Sequence, residues 1–146
     1  MAWLAPIPDP DLSFERQGGV MLLAQCILGE AEGEPFKGKL AVGHVVMNRV
    51  LDDRWPSSIA AVVLQPKQFS AFNTGSPRLG PMRFPYSHVR ESVWNQCFEA
   101  ACRVVFGPSI DSTEGANHYC SQRVSPRWAD PAKLTVTIGA HRFYRV

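Results

Sequence analysis

Three carboxylates fall within five residues in the segment Leu28-Gly29-Glu30-Ala31-Glu32-Gly33-Glu34-Pro35. Glu30 closely follows the apolar run from Val20 to Leu28, so a helix ending there sets its carboxyl against hydrophobic walls. A carboxylic acid in such a setting keeps its proton to higher pH and can donate it as a general acid. Glu32 and Glu34 sit in more polar, glycine-loosened surroundings. Paired carboxylates are the equipment of glycoside cleavage, which makes that reaction class the first to test. The plainer alternative leaves all three in solvent, with Glu34 favouring the start of the next helix through its macrodipole.

The other chemistry-bearing residues are more dispersed. Cys26 lies inside an apolar run, and Cys97 and Cys102 lie among Ala100, Ala101 and Val104, where a free thiol behaves as a small hydrophobe. Two disulfides or one metal site are the other possibilities for four cysteines, Cys120 included. The spacing of Cys97 and Cys102, and the scatter of His44, His88, His118 and His141, match zinc ligation poorly, so no metal or other cofactor is expected. Only Met82 to Arg90, with Arg83, Phe84, Tyr86 and Arg90, approaches the interleaved pattern of a nucleic-acid surface, and no nucleic-acid partner is expected.

Elements able to position these residues can be read from periodicity and punctuation. Residues 1–12 hold three of the twelve prolines and read as an extended arm. Ser13 is a good N-cap for a helix running to about Glu30, weakened by Gly18-Gly19. Pro35 opens a second helix through about Leu51, antiparallel to the first, and Pro56-Ser57-Ser58 starts a short third one that Pro66 stops. Gln65 to about His88 shows little periodicity and reads as a long loop, a candidate wall of a cleft. Val89, Val93, Cys97, Ala101 and Val104 form the stripe of a fourth helix, closed by Gly107-Pro108. Residues 117–120, 134–138 and 142–144 read as short strands. Helices followed by strands predict an α+β fold with a small antiparallel sheet in the C-terminal part.

With 146 residues, 15 Lys plus Arg against 13 Asp plus Glu and 45% hydrophobic residues, the chain reads as one domain over 1–146 with an adequate core. Eleven of the fifteen cations are Arg, spread along the chain, a surplus suited to raising encounter with an anionic polymer in a salt-sensitive way. No apolar stretch reaches the roughly 18 residues of a spanning helix, so no membrane insertion is expected. The first nine residues lack the marks of a signal peptide, so synthesis in the cytoplasm is expected, unless the sequence is a mature form.

The segment from Gly29 to Val50, with Gly29-Glu30-Ala31, Gly33-Glu34-Pro35, Gly38, Ala41-Val42 and Asn48-Arg49-Val50, resembles the G-E-A-x-G-E-P block of the SleB-type cell wall hydrolases. This family includes spore-cortex-lytic enzymes and phage endolysins. Two later blocks are similar in the same order. Ile59, Val63, Gln68-Phe69-Ser70 form one; Gly115-Ala116, His118-Tyr119, Pro126, Trp128, Ile138-Gly139, His141 and Phe143-Tyr144 form the other.

The resemblance implies a lysozyme-like, mainly helical domain that cleaves the β-1,4 bond between N-acetylmuramic acid and N-acetylglucosamine in peptidoglycan. It puts Glu30 at the catalytic position and implies a lytic transglycosylase, in which one Glu serves as acid and then as base. A hydrolytic muramidase would use a second carboxylate, for which Glu34, at a matching motif position, is the candidate in this segment. Gln68, Phe69, Ser70, Tyr119, Trp128 and Tyr144 lie at matching motif positions and, with Glu34, are the expected substrate contacts; Phe69 also suits a core position. His141 and the Asn48-Arg49 pair are expected to be structural. The implied partner is a peptidoglycan glycan strand, bound by a monomer. The implied setting is endolysin-like, with the protein held in the host cytoplasm until its release to the wall. A non-catalytic wall-binding module and a metal-dependent amidase using His44, His118 or His141 are the readings from other classes.

Overall fold

The computed structural model describes residues 3–146; Met1 and Ala2, the start of the expected arm, lie outside the described residues. Helices α1 (Gly19–Ala31), α2 (Phe36–Val50), α3 (Ile59–Val63), α4 (Leu79–Arg83), α5 (Pro85–His88) and α6 (Glu91–Phe106) precede strands β1 (His118–Ser121), β2 (Leu134–Ile138) and β3 (His141–Tyr144). The strands form one antiparallel sheet in the order β1-β3-β2. This is the α+β arrangement the order of patterns predicts.

Helix α1 is the axis of the molecule. Every side chain from Leu22 to Leu28 is buried, Gln25 included, and α2, α3 and α6 contribute Val42, Val46, Val62, Val63, Trp94 and Cys97 to the same core. A helix apolar on nearly all sides belongs in an interior, which explains why its hydrophobic pattern is not one stripe. A second, smaller core joins α2 to the sheet through Ala41, Val45, Ala116, Ile138 and Phe143. Tyr119 packs against both.

Two expectations need correction. Helix α1 starts at Gly19 rather than Ser13, because Gly18 adopts φ +89°, a left-handed conformation that interrupts the helix; Phe14–Arg16 forms a separate 3-10 turn. The stretch 65–88 is not an open loop but a chain of short elements: a 3-10 turn at Ser70–Phe72, then α4 and α5. Its prolines fit these short pieces, since Pro85 occupies the first turn of α5, where its missing N–H costs nothing. Ser58 caps α3 as expected, accepting the Ala61 N–H at 3.1 Å.

The arm is tied down by backbone contacts. Asn95 receives the Ala5 N–H at 2.8 Å and donates to the Trp3 carbonyl at 2.7 Å, while the Trp94 indole donates to the Pro6 carbonyl at 2.9 Å. All four cysteines are free thiols, three of them buried. Burial pushes the Cys97 thiol up to about 12 and raises Cys26 as well, which suits their packing role.

Candidate active site

Glu30 is the first polar side chain to reach the surface as α1 leaves the core. Its carboxylate is not walled by apolar groups alone. One oxygen accepts the Tyr119 hydroxyl at 2.5 Å, and the other accepts the Ala71 backbone N–H at 3.3 Å. The approach of Ala71 depends on Gly29, where a Cβ would stand 2.7 Å from the Ala71 Cβ and 2.5 Å from the Met82 Sδ. Only glycine lets the 70–72 turn close over this last turn of α1.

The end of α1 has no glycine cap; the Glu34 N–H bonds the Ala31 carbonyl at 3.0 Å, and cations from α2 and the 70–78 segment hold other carbonyls in and just beyond the last turn. The fully enclosed Lys39 amine donates to the carbonyls of Glu32, at 3.1 Å, and Glu34. The Arg78 guanidinium donates to the Leu28 carbonyl at 3.2 Å and pairs with the Glu32 carboxylate. The acidic segment is therefore held from both sides, and Glu32 is engaged in structure.

Two cavities meet at Glu30. One, of about 390 Å³, is lined by Lys67, Gln68, Ser70, Tyr119, Ser121 and His141 among others. The second, of about 420 Å³, runs along the 70–78 segment past Ala71, Asn73, Thr74, Ser76 and Arg78. Gly29, Glu30 and Ser70 belong to both. The carboxylate thus stands at the midpoint of a groove, where a chain crossing it presents an internal bond.

Tyr119 is enclosed by rings: His141 at 4.9 Å, Phe143 at 5.7 Å and Phe69 at 6.5 Å between centroids. Burial, reinforced by the Glu30 charge, pushes its phenol well above the ordinary range, so it remains a donor to Glu30 at any working pH. Burial likewise holds the His141 imidazole below its usual range, against the opposite pull of the Glu34 and Glu30 carboxylates.

Of the expected substrate contacts, Glu30, Gln68, Ser70 and Tyr119 line one continuous groove. Phe69 is buried in the main core, with the Arg49 guanidinium 5.4 Å from its ring centre. Glu34 turns away to brace the β2–β3 turn, accepting the Ala140 N–H at 2.8 Å, and stands 3.6 Å from His141 Nδ1. Trp128 and Tyr144 lie on the opposite face of the sheet from Tyr119. Tyr144 pairs with His118 in the register and Phe143 with Tyr119, and successive residues of a strand point to opposite faces. Trp128 packs on His118 at 4.8 Å and edge-on to Tyr144 at 5.4 Å.

Asn48 and Arg49 do more than fill a helix interface. Asn48 donates to the Asp111 carboxylate and the Ala116 carbonyl, both at 2.9 Å. Buried Arg49 donates to the Asn117 carbonyl at 2.7 Å and to Gln68 Oε1 at 3.3 Å, tying the start of β1 to the opposite groove wall. Lys67, Ser121, Lys39 and Arg78 went unnoticed in the sequence; their only signal is a polar residue near a motif, which does not tell a groove wall from a surface. Among the described residues no group of three or more His, Cys, Asp or Glu is placed to hold a metal ion, and no helix is long and apolar enough to cross a membrane.

Residues 33–144 match the model of the Cell Wall Hydrolase family. The chain belongs to that family. Glu30 stands just ahead of the matched span. The spore cortex-lytic enzyme of Bacillus subtilis strain 168 is 34% identical over 83 residues, covering 56% of this chain and 27% of that protein. That of Bacillus cereus strain ATCC 14579 is 35% identical over 65 residues, covering 44% and 25%. The matched segments are thus about a quarter of the length of these relatives. As a cell wall hydrolase fold, the chain superposes on the catalytic domain of the germination-specific lytic transglycosylase SleB from Bacillus anthracis, with a TM-score of 0.68 and 24% identity. That match covers 95% of this chain and all of the other. The Bacillus cereus SleB catalytic domain gives a TM-score of 0.64, also at 24% identity, over 95% of each chain.

Proposed function

We propose that this chain is a peptidoglycan glycosidase that cleaves the β-1,4 bond between N-acetylmuramic acid and N-acetylglucosamine as a lytic transglycosylase, with Glu30 as its acid. The observation that carries this reading is the position of the Glu30 carboxylate at the junction of two cavities, gripped by the Tyr119 hydroxyl. A glycan strand laid along the groove places sugars on both sides of that carboxylate. Glu30 donates its proton to the bridging oxygen as the bond to the muramic C1 breaks. The muramic C6 hydroxyl then bonds to C1, and its proton passes to the Glu30 carboxylate, which restores the acid and closes a 1,6-anhydro ring. The Tyr119 phenol fixes the carboxylate throughout.

The transglycosylase route is favoured over a hydrolytic muramidase by the two other carboxylates of the segment, since Glu32 is paired with Arg78 and Glu34 Oε1 is committed to the Ala140 N–H. The chain acts as a monomer on peptidoglycan strands, in an endolysin-like role that begins in the host cytoplasm. Turbidity loss of purified peptidoglycan tests the assignment. Glu30→Gln is expected to lower the rate by about a thousandfold, within the range for removing a general acid. Undiminished lysis by the variant contradicts the role of Glu30, and binding without lysis by the unmodified protein supports a wall-binding module instead.

A further inference from the structure

His141 lines the groove beside Tyr119 and Glu30, yet the mechanism above leaves it unused. Its ring is oriented from behind. Nδ1 is buried, has no hydrogen-bond partner and faces the Glu34 carboxylate at 3.6 Å, while Glu34 is itself fixed by the Ala140 N–H. A carboxylate behind Nδ1 selects the tautomer that carries its proton there, leaving Nε2 as a lone-pair acceptor. Among the described residues nothing hydrogen-bonds to Nε2, and the ring packs at a tilt against Tyr119 and edge-on to Phe143, so it has little freedom to turn away.

Resting on the peptidoglycan reading, we propose that His141 is a substrate-binding residue whose Nε2 accepts a hydrogen bond from a saccharide hydroxyl or acetamido N–H in the Tyr119 half of the groove, with Glu34 as the residue that positions it. Glu34 thereby acts through His141 and not as a second catalytic carboxylate. The charged and titratable groups around the ring are Glu34 from the segment after α1, Glu30 from α1, Tyr119 from β1 and Lys67 from the opposite wall. Acid protonates Nε2, turns the acceptor into a donor and weakens binding.

Two substitutions separate this role from packing. His141→Phe keeps the ring and loses the acceptor; His141→Gln loses the ring and places an amide oxygen near Nε2. Both are compared with the unmodified protein by muropeptide release from purified peptidoglycan across pH 4 to 9, with thermal melts run alongside. The expected result is a rise in KM of up to about tenfold for His141→Phe, with kcat changed little, as for one lost hydrogen bond between the substrate and a groove acceptor. His141→Gln should retain more activity than His141→Phe and lose the acid-side fall in kcat/KM. Glu34→Gln should move that fall to lower pH, because a carboxylate that favours the protonated imidazole is gone. Activity of His141→Phe equal to or above that of His141→Gln overturns the inference, as does an acid limb unmoved in His141→Gln. In either case a fully active unmodified protein leaves the Glu30 reading standing. An unmodified protein that releases no muropeptides overturns that reading and this inference together.

Discussion

On one face of the sheet Tyr119, His141 and Phe143 pack toward the helices, and the Tyr119 hydroxyl reaches Glu30. On the other, His118, Trp128 and Tyr144 pack on one another and on Trp55. Each face carries one histidine, one tyrosine and a further aromatic ring. Their electrostatics differ. His141 is flanked by carboxylates, which partly offset the effect of burial, whereas burial together with the Arg49 and Arg54 cations drives His118 down to about 4. Similar residue types at adjacent positions become groove or scaffold according to strand register and the charge of what lies opposite.

Paired phenol-to-phenyl changes break this comparison most directly. Tyr119→Phe is expected to lower kcat/KM by about a hundredfold, as for removal of one organising donor in an active site, with the ring still packed. Tyr144→Phe should stay within about twofold, since Tyr144 lies on the far face. Comparable losses from both would erase the distinction between the faces.

Much of this division was invisible in the sequence. The strands themselves were readable from β-branched and aromatic runs, and Glu30 and Tyr119 from their place in recognisable blocks. Tyr144 and Trp128 were not separable from Tyr119, because facing depends on the pairing of His118 with Tyr144 and on a one-residue step that motif spacing does not reveal. The burial of Lys39, and the partners of the structural Arg49, were illegible for a different reason. A cation is buried when unpaired carbonyls are waiting for it, here those of Glu32 and Glu34 in the break just before α2 for Lys39, and that of the distant Asn117 for Arg49. The start of α1 was misjudged because a good cap at Ser13 says nothing about the φ of Gly18.

Gly29→Ala sharpens the contrast from the groove side. The added methyl meets the Met82 side chain and the Ala71 methyl, so a loss of about 1–3 kcal/mol is expected in denaturant melts, together with reduced activity as the Ala71 residue and its N–H are pushed from Glu30. From the outer face, Trp128→Ala should cost about 1–2 kcal/mol of stability through lost ring packing, while specific activity at a temperature below the melt holds. Activity lost in step with Trp128, without loss of fold, would make the outer face part of the substrate path.

The smallest effect is in pH. His118 has a folded-state value below its unfolded one, so the unfolded chain binds its proton first as pH falls. Its contribution is complete above about pH 6.5 and declines toward about pH 4, so the melting temperature should fall across that window. His44 and His141 are shifted in the same direction and add to the slope. His118→Gln should flatten it in part; an unchanged slope contradicts the placement of His118 among cations.

The central claim, that Glu30 alone cuts a glycan strand by internal ring closure, is tested most directly by mass spectrometry of a peptidoglycan digest. Fragments ending in 1,6-anhydro-muramic acid, absent from a Glu30→Gln digest, are the predicted result. Fragments ending only in reducing muramic acid would contradict it.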